Sequence, residues 1–257
     1  MRPYQGYIID LDGTTYVGQH CLPEAEDFIH QLKAANRHYL FMTNNATRSI
    51  EAIYDHLFHD LNLPVTPHQI YTSATAAVEY LKQNHADQRI MVIGEPSLKQ
   101  AVESSGLCLD QTRDAEVVLQ ALQRDVTYSD LLTATQALLK GADFVVTNQD
   151  QLIPTEEGPA PSSGPITAFL ERASQVKPHL IGKPSPSIIE AAINKMGLTK
   201  DKVLVVGDNY ETDIQAGYLA GVDTLLVLTG VTDKTMIPHF TYQPTYILDD
   251  LSQVVVQ

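Results

Sequence analysis

Short apolar runs recur along the chain with helical patterns between most of them, and this alternation restricts the possible folds more than any other feature. The runs span Gly6 to Asp10, Tyr39 to Met42, Ile90 to Ile93, Val117 to Leu119, Phe144 to Val146, Leu180 to Ile181, Val203 to Val206 and Thr224 to Leu228. A short apolar run bounded by turn residues suits a strand buried on both faces. After the first run, Pro23 is placed to open a helix, and Phe28, Ile29 and Leu32 recur at helical spacing until Asn36. Ile50, Ile53, Tyr54, Leu57, Phe58 and Leu61 mark a second helix after the next run. Strands and helices in alternation predict an α/β fold with parallel sheets, in which ligands bind beyond the carboxyl ends of the strands.

The chain has 257 residues, 44% of them hydrophobic, which is enough for one large domain or for a core with an inserted lobe. Pro and polar residues gather in LPVTPHQIYTSAT (63–75) and SQVKPHLIGKPSP (174–186), the two candidate hinges. Neither stretch is long, so a second lobe has to be an insertion between two chain crossings. Cys21 and Cys108 stand far apart and outside any CxxC arrangement, which suggests neither a disulfide framework nor a thiolate zinc site. The opening MRPYQGYIID has no signal-peptide pattern and no apolar run is long enough for a bilayer, so the expected location is cytoplasmic with no membrane partner. With 17 Lys and Arg against 31 Asp and Glu, the formal charge of −14 repels phosphate backbones and makes polymeric nucleic acid an unsuitable partner.

Four segments carry chemistry. In IIDLDGTTY, Asp10 and Asp12 follow an apolar strand, and a period-2 backbone points both carboxylates the same way. Such a pair can hold Mg²⁺ and still present an oxygen to phosphorus, giving an aspartyl-phosphate, with the neighbouring Asp as acid and base. D-G is also a common turn dipeptide, so the motif alone does not decide. In FMTNNATRS, Thr43 and Asn44 offer a hydroxyl, an amide and backbone N–H groups to phosphoryl oxygens, or simply introduce a helix cap. In HLIGKPSPSII, the Lys183 ammonium can screen an incoming phosphate dianion from a nucleophilic carboxylate. In VLVVGDNYETDIQAG, Asp208 sits where a metal ligand is needed, while Asp213 either orients the metal's waters or stabilises a helix N-terminus. Four strand ends bearing Asp-x-Asp, Thr, Lys and Gly-Asp meet one common requirement, metal-assisted phosphoryl transfer.

In order and spacing these segments resemble the signature motifs of the haloacid dehalogenase superfamily, with DLDGT at 10–14, TNN at 43–45, GKP at 182–184 and GDNYETD at 207–213. The resemblance implies a three-layer, doubly wound parallel-sheet core. It makes Asp10 the nucleophile, Asp12 the general acid/base, and Thr43 and Lys183 ligands of the phosphoryl group. Asp208 would join Asp10 and the backbone carbonyl of Asp12 on Mg²⁺, with Asp213 supporting the metal. An acid at Asp12 favours a phosphohydrolase, because an alkoxide leaving group needs a proton. Only the interval from Thr43 to Lys183 can hold a lobe, which resembles the class IIA cap of NagD-type and p-nitrophenyl phosphatases. The implied division is a core of residues 1–75 and 180–257 around an α/β cap of residues 76–179. TNQDQLIPTEEGPAPSSGPI is similar to the stretch of that branch which helps choose the substrate, and it places Asn148 and Asp150 among the substrate-binding residues. Where the branch carries Pro-Gly-x-Gly, this chain has Pro161, Ser162, Ser163 and Gly164, which suggests a less permissive backbone and altered specificity.

The expectation is therefore a Mg²⁺-dependent phosphatase for small phosphorylated metabolites, such as nucleoside monophosphates or sugar phosphates, with a homodimer among the possible assemblies. A phosphotransferase or mutase shares the same chemistry, and a non-catalytic metabolite sensor shares the same fold.

Overall fold

The computed structural model describes residues 1–153, 155 and 157–256. Pro154 and Glu156, part of the stretch TNQDQLIPTEEGPAPSSGPI, lie outside the described residues. In chain order, the strands of the two large sheets are β1 (Gly6–Asp10), β2 (His38–Thr43), β3 (Ile70–Thr72), β4 (Arg89–Ile93), β5 (Cys108–Leu109), β6 (Val117–Gln120), β7 (Asp143–Val146), β8 (His179–Leu180), β9 (Val203–Gly207), β10 (Asp223–Val227) and β11 (Tyr246–Leu248). The α-helices are α1 (Pro23–Ala34), α2 (Ile50–Asp55), α3 (Ser73–Asn84), α4 (Pro96–Ser104), α5 (Tyr128–Leu139), α6 (Ser163–Ser174), α7 (Pro186–Met196) and α8 (Gln215–Ala220). The chain divides into two units, one of Met1–Thr43, Ile50–Tyr71 and Lys183–Gln257, the other of Asn44–Ser49 and Thr72–Gly182.

The first unit holds a six-stranded sheet of order β11-β10-β9-β1-β2-β3. Its central strand β1 runs parallel to both neighbours, with Ile9 opposite Val206 of β9 and Phe41 of β2. Strand periodicity sends Tyr7 and Ile9 into a cluster with Phe28, Ile29 and Leu32 of α1, and Ile8 to the opposite face. Helix α1 forms because Pro23 starts it, glutamates occupy its first turn, and Ala25, Phe28, Ile29 and Leu32 form one buried stripe. It stops where Asn36 turns left-handed, at φ 51°. The apolar pattern beginning at Ile50 follows α-helical geometry only to Asp55 and then widens into a π-helical turn, His56–Asp60. Both faces of this sheet bear helices, since α7 touches β1 and β2 while α1 lies against the other face.

The second unit holds a five-stranded sheet of order β8-β7-β6-β4-β5 whose described pairs are parallel. Its core joins Met91, Ile93, Val118, Phe144 and Val146 to Ala134, Ala137 and Leu138 of α5 and Leu170 of α6. Threonines cap the helices, Thr72 accepting from the Thr75 N–H of α3 and Thr127 forming a capping box with Asp130 at α5. Among the described residues no helix is long and apolar enough to cross a membrane.

Candidate active site

Three adjacent parallel strands of the first unit bring polar residues to the same edge of the sheet. β1 ends in Asp10, β2 in Thr43, and β9 in Gly207, with Asp208 next in the chain. A parallel sheet puts all its carboxyl ends on one side, so register alone brings these residues together.

Lys183 organises the acidic residues. Its Nζ lies 2.5 Å from Oδ1 of Asp10 and 2.6 Å from Oδ1 of Asp213, and the whole residue is 4% exposed. Burial disfavours its charge, but the carboxylates of Asp10 and Asp213 outweigh that and hold its pKa above the ordinary lysine value. The Asp10 pKa is raised too, which for a carboxyl disfavours the charged form. Burial pushes its carboxyl well above the usual aspartate range, the Asp213 charge adds to the shift, and Lys183 opposes it. Asp208 is pushed up to about 6 by burial and by Asp213, against the Val231 N–H and the Thr14 hydroxyl that bind its ionised form.

Asp10, Asp208 and Asp213 each offer a carboxylate oxygen, and these oxygens lie within 4.8 Å of one another. Three carboxyl groups, of which Asp208 and Asp213 are buried, gather around one ammonium, so acidic oxygens outnumber the cations that face them. An all-oxygen donor set of that kind suits a hard divalent cation such as Mg²⁺. The residues present therefore fit the ion.

Asp213 does more here than either role read from its position. It lies in a π-helical turn, Tyr210–Ile214, and its Oδ2 accepts the Asn209 N–H at 3.1 Å while Oδ1 holds Lys183. Gly207 is required beneath it, because a Cβ there would come within 2.3 Å of the Asp213 side chain. Asp12 lies just beyond the strand. β1 stops at Asp10, and the chain curls into a turn in which the N–H groups of Thr14, Thr15 and Tyr16 converge on the Leu11 carbonyl. Asp12 is consequently exposed, accepts the Tyr16 hydroxyl at 3.3 Å, and keeps its side chain outside the three-carboxylate cluster. Thr43 is buried at the end of β2.

The remaining sequence-derived residues gather in the second unit. The Asn44 carbonyl accepts from the Ser73 hydroxyl at 2.7 Å and from the Asn148 amide at 2.9 Å. The Asn44 amide donates to Asp150 at 3.3 Å, and the Asp150 N–H to the Asn148 side chain, also at 3.3 Å. Ser73 escaped sequence reading because its only visible signal is the start of a helix. Serine at 162 strains nothing, since its φ of −99° and ψ of −154° are extended backbone open to any residue. Gly164 has no room for a side chain, since a Cβ there would meet the Gln149 carbonyl at 2.6 Å.

Two family models match the chain, a haloacid dehalogenase-like hydrolase model over residues 7–108 and a HAD-hydrolase-like model over residues 180–254. The 5'-nucleotidase YutF of Bacillus subtilis is 39% identical over 253 residues, 98% of each chain. An acid sugar phosphatase of Staphylococcus haemolyticus is 37% identical over 99% of this chain and 97% of its own. Among solved structures, a double mutant of thermostable NPPase from Geobacillus stearothermophilus superposes with a TM-score of 0.93 at 42% identity over 99% of both chains. NagD from E. coli K-12 gives a TM-score of 0.92 at 28% identity over the full length of both. An end-to-end match of this kind to named phosphatases assigns the activity as well as the fold: the chain belongs to the haloacid dehalogenase-like hydrolases and is a phosphoric monoester hydrolase.

Proposed function

We propose that the enzyme is a Mg²⁺-dependent phosphatase of small phosphate monoesters, nucleoside monophosphates or sugar phosphates, working through a phosphorylated Asp10. The observation carrying this reading is Asp10 itself, a nearly buried carboxylate at the end of the central strand, held by Lys183 and facing Asp208 and Asp213. The named activities of the relatives, a 5'-nucleotidase and an acid sugar phosphatase, support the substrate classes.

An oxygen of Asp10 attacks phosphorus, the bond from phosphorus to the leaving oxygen breaks, and Asp12 in its acid form gives that oxygen a proton. Asp12 then takes a proton from water, whose oxygen displaces Asp10 from phosphorus and frees inorganic phosphate. Exposure of Asp12 suits this duty, because the residue exchanges protons with solvent and with a departing alcohol, whereas the acidic residues near Lys183 are committed to fixed partners. Lys183 and Thr43 hold the phosphoryl oxygens. Asp10 and Asp208 would hold Mg²⁺, with Asp213 alongside and, as the family likeness implies, the Asp12 carbonyl. Bound there, the ion neutralises charge on the phosphoryl oxygens. In the second unit, Asn44, Asn148 and Asp150 supply polar groups for substrate selection.

The test is phosphate release from a panel of nucleoside monophosphates, sugar phosphates and p-nitrophenyl phosphate, after EDTA treatment and after Mg²⁺ is restored. Release that vanishes with EDTA and returns with Mg²⁺ is the expected result. Release indifferent to both treatments, or transfer to a second alcohol without free phosphate, contradicts the proposal. Asp12→Asn separates the two chemical steps. Sugar phosphates, whose alkoxides need a proton, should slow by about 10²- to 10⁴-fold. The nitrophenolate of p-nitrophenyl phosphate leaves without a proton, so its rapid-quench burst should survive while steady turnover falls. Equal losses of burst and turnover on both substrates would remove Asp12 from the acid role.

A further inference from the structure

We propose that the turn Thr229 to Thr232, which follows β10, is a positioning element that fixes the Asp208 carboxylate for its cation. The inference rests on the metal reading given above. The backbone of the turn grips Asp208 from outside. The Val231 N–H donates to Oδ2 at 2.7 Å, and the Thr232 N–H donates to the Asp208 carbonyl at 3.1 Å. From the other side the Thr14 hydroxyl donates to Oδ1 at 3.0 Å. Each oxygen thus spends one lone pair on the protein and keeps another for an ion.

Two glycines sandwich the same carboxylate. A Cβ on Gly230 would lie 2.0 Å from Oδ2, and a Cβ on Gly13, whose φ is +87°, would lie 2.5 Å from that atom. The two glycine faces also meet one another, since the Gly230 Cβ position is 2.9 Å from the Gly13 Cα. The Thr229 hydroxyl closes the arrangement by donating to the Gly13 carbonyl at 2.6 Å. At the far end the Thr232 hydroxyl accepts the Tyr210 N–H at 2.9 Å, which ties the turn to the π-helical turn carrying Asp213.

The tip of the turn contributes little to the core, although Thr232 at its far end is buried. Gly230 is exposed and Val231 is 65% exposed. Close backbone approach to a ligating carboxylate therefore explains the turn where apolar burial does not. A carboxylate held on both oxygens and both faces has one orientation, so an ion does not have to order it on binding.

The experiment uses the full chain with Mn²⁺ as the probe, free ion being counted by its EPR signal, and thermal melts verifying the fold of each variant. Gly230→Ala and Thr229→Val should weaken Mn²⁺ binding by about 10- to 100-fold, the range for groups that orient metal ligands. Thr229→Ser keeps the hydroxyl and should restore wild-type affinity. Saturating Mn²⁺ should return the kcat of Thr229→Val toward the wild-type value, as expected of a residue acting through the ion's ligand. If Gly230→Ala fails to fold, the Thr229 pair decides. Wild-type Mn²⁺ affinity in the valine variant, or equal weakening in valine and serine variants, overturns the inference while leaving the metal reading intact. A wild-type protein that binds no Mn²⁺ overturns both.

Discussion

The Asp10→Asn variant should fold as the wild type does and lose turnover by about 10⁶-fold, the scale on which removal of a nucleophile acts. An amide has the shape of the carboxylate but no nucleophilic oxygen anion. Stability should hold because two effects oppose one another. The neutral amide gives up part of the attraction to Lys183, although its oxygen still accepts from Nζ. In return, a buried anion that repels Asp213 and Asp208 is gone, and those are the influences that raise the Asp10 pKa. Phosphate release in the steady state and a thermal melt check both halves of the prediction. Residual activity near the wild-type rate would take the nucleophile's role from Asp10.

Lys183→Met should damage fold and activity together. The lysine is buried between two carboxylates, at 2.5 Å from Asp10 and 2.6 Å from Asp213, so its removal strands two neighbouring buried anions. Removing one partner of a buried ion pair costs about 3–5 kcal/mol, most of it for the charge left behind. The origin of the loss can be tested by adding Asp213→Asn to the lysine variant. With one anion removed, the double variant should be more stable than the sum of the single effects requires, by a coupling of about 0.5–3 kcal/mol. Urea denaturation of the four proteins of the cycle measures it, and strict additivity would mean that the charge triad is not what holds this corner of the site. Activity should stay low in both lysine variants, because the phosphoryl group has lost its ammonium.

Much of this geometry was legible in the sequence because it follows from short-range patterns. GYIID and VLVVG are short apolar runs bounded by turn residues, which suits buried strands, and parallel pairing then brings Asp10 and Asp208 to one edge. The family likeness of four motifs supplied the roles. What the sequence hid lies in contacts between distant parts of the chain. Asp213 read as a metal helper or a helix N-terminal charge, because nothing near it in the chain shows that Lys183 sits on it. Val231 acts through its backbone N–H, and no side-chain pattern reports that. The strand Ile70–Thr72 is only three residues long inside a proline-bearing stretch read as a hinge, and Tyr246–Leu248 is equally short. The TNN motif looked continuous with its strand. Yet Thr43 ends β2 in one unit while Asn44 is bound by Ser73 and Asn148 in the other, so the break between two adjacent motif residues exists only in three dimensions.

On the proposed mechanism phosphorus becomes bonded to Asp10 during turnover. The direct measurement mixes enzyme, Mg²⁺ and a good substrate, quenches in acid within one turnover, reduces with borohydride and maps the peptides by mass. An acyl phosphate is reduced to an alcohol, whereas a free carboxylate is not. Homoserine is expected at position 10 and at no other aspartate, and none when substrate is omitted. Rapid phosphate release with an unreduced Asp10, or reduction at a different residue, would contradict it.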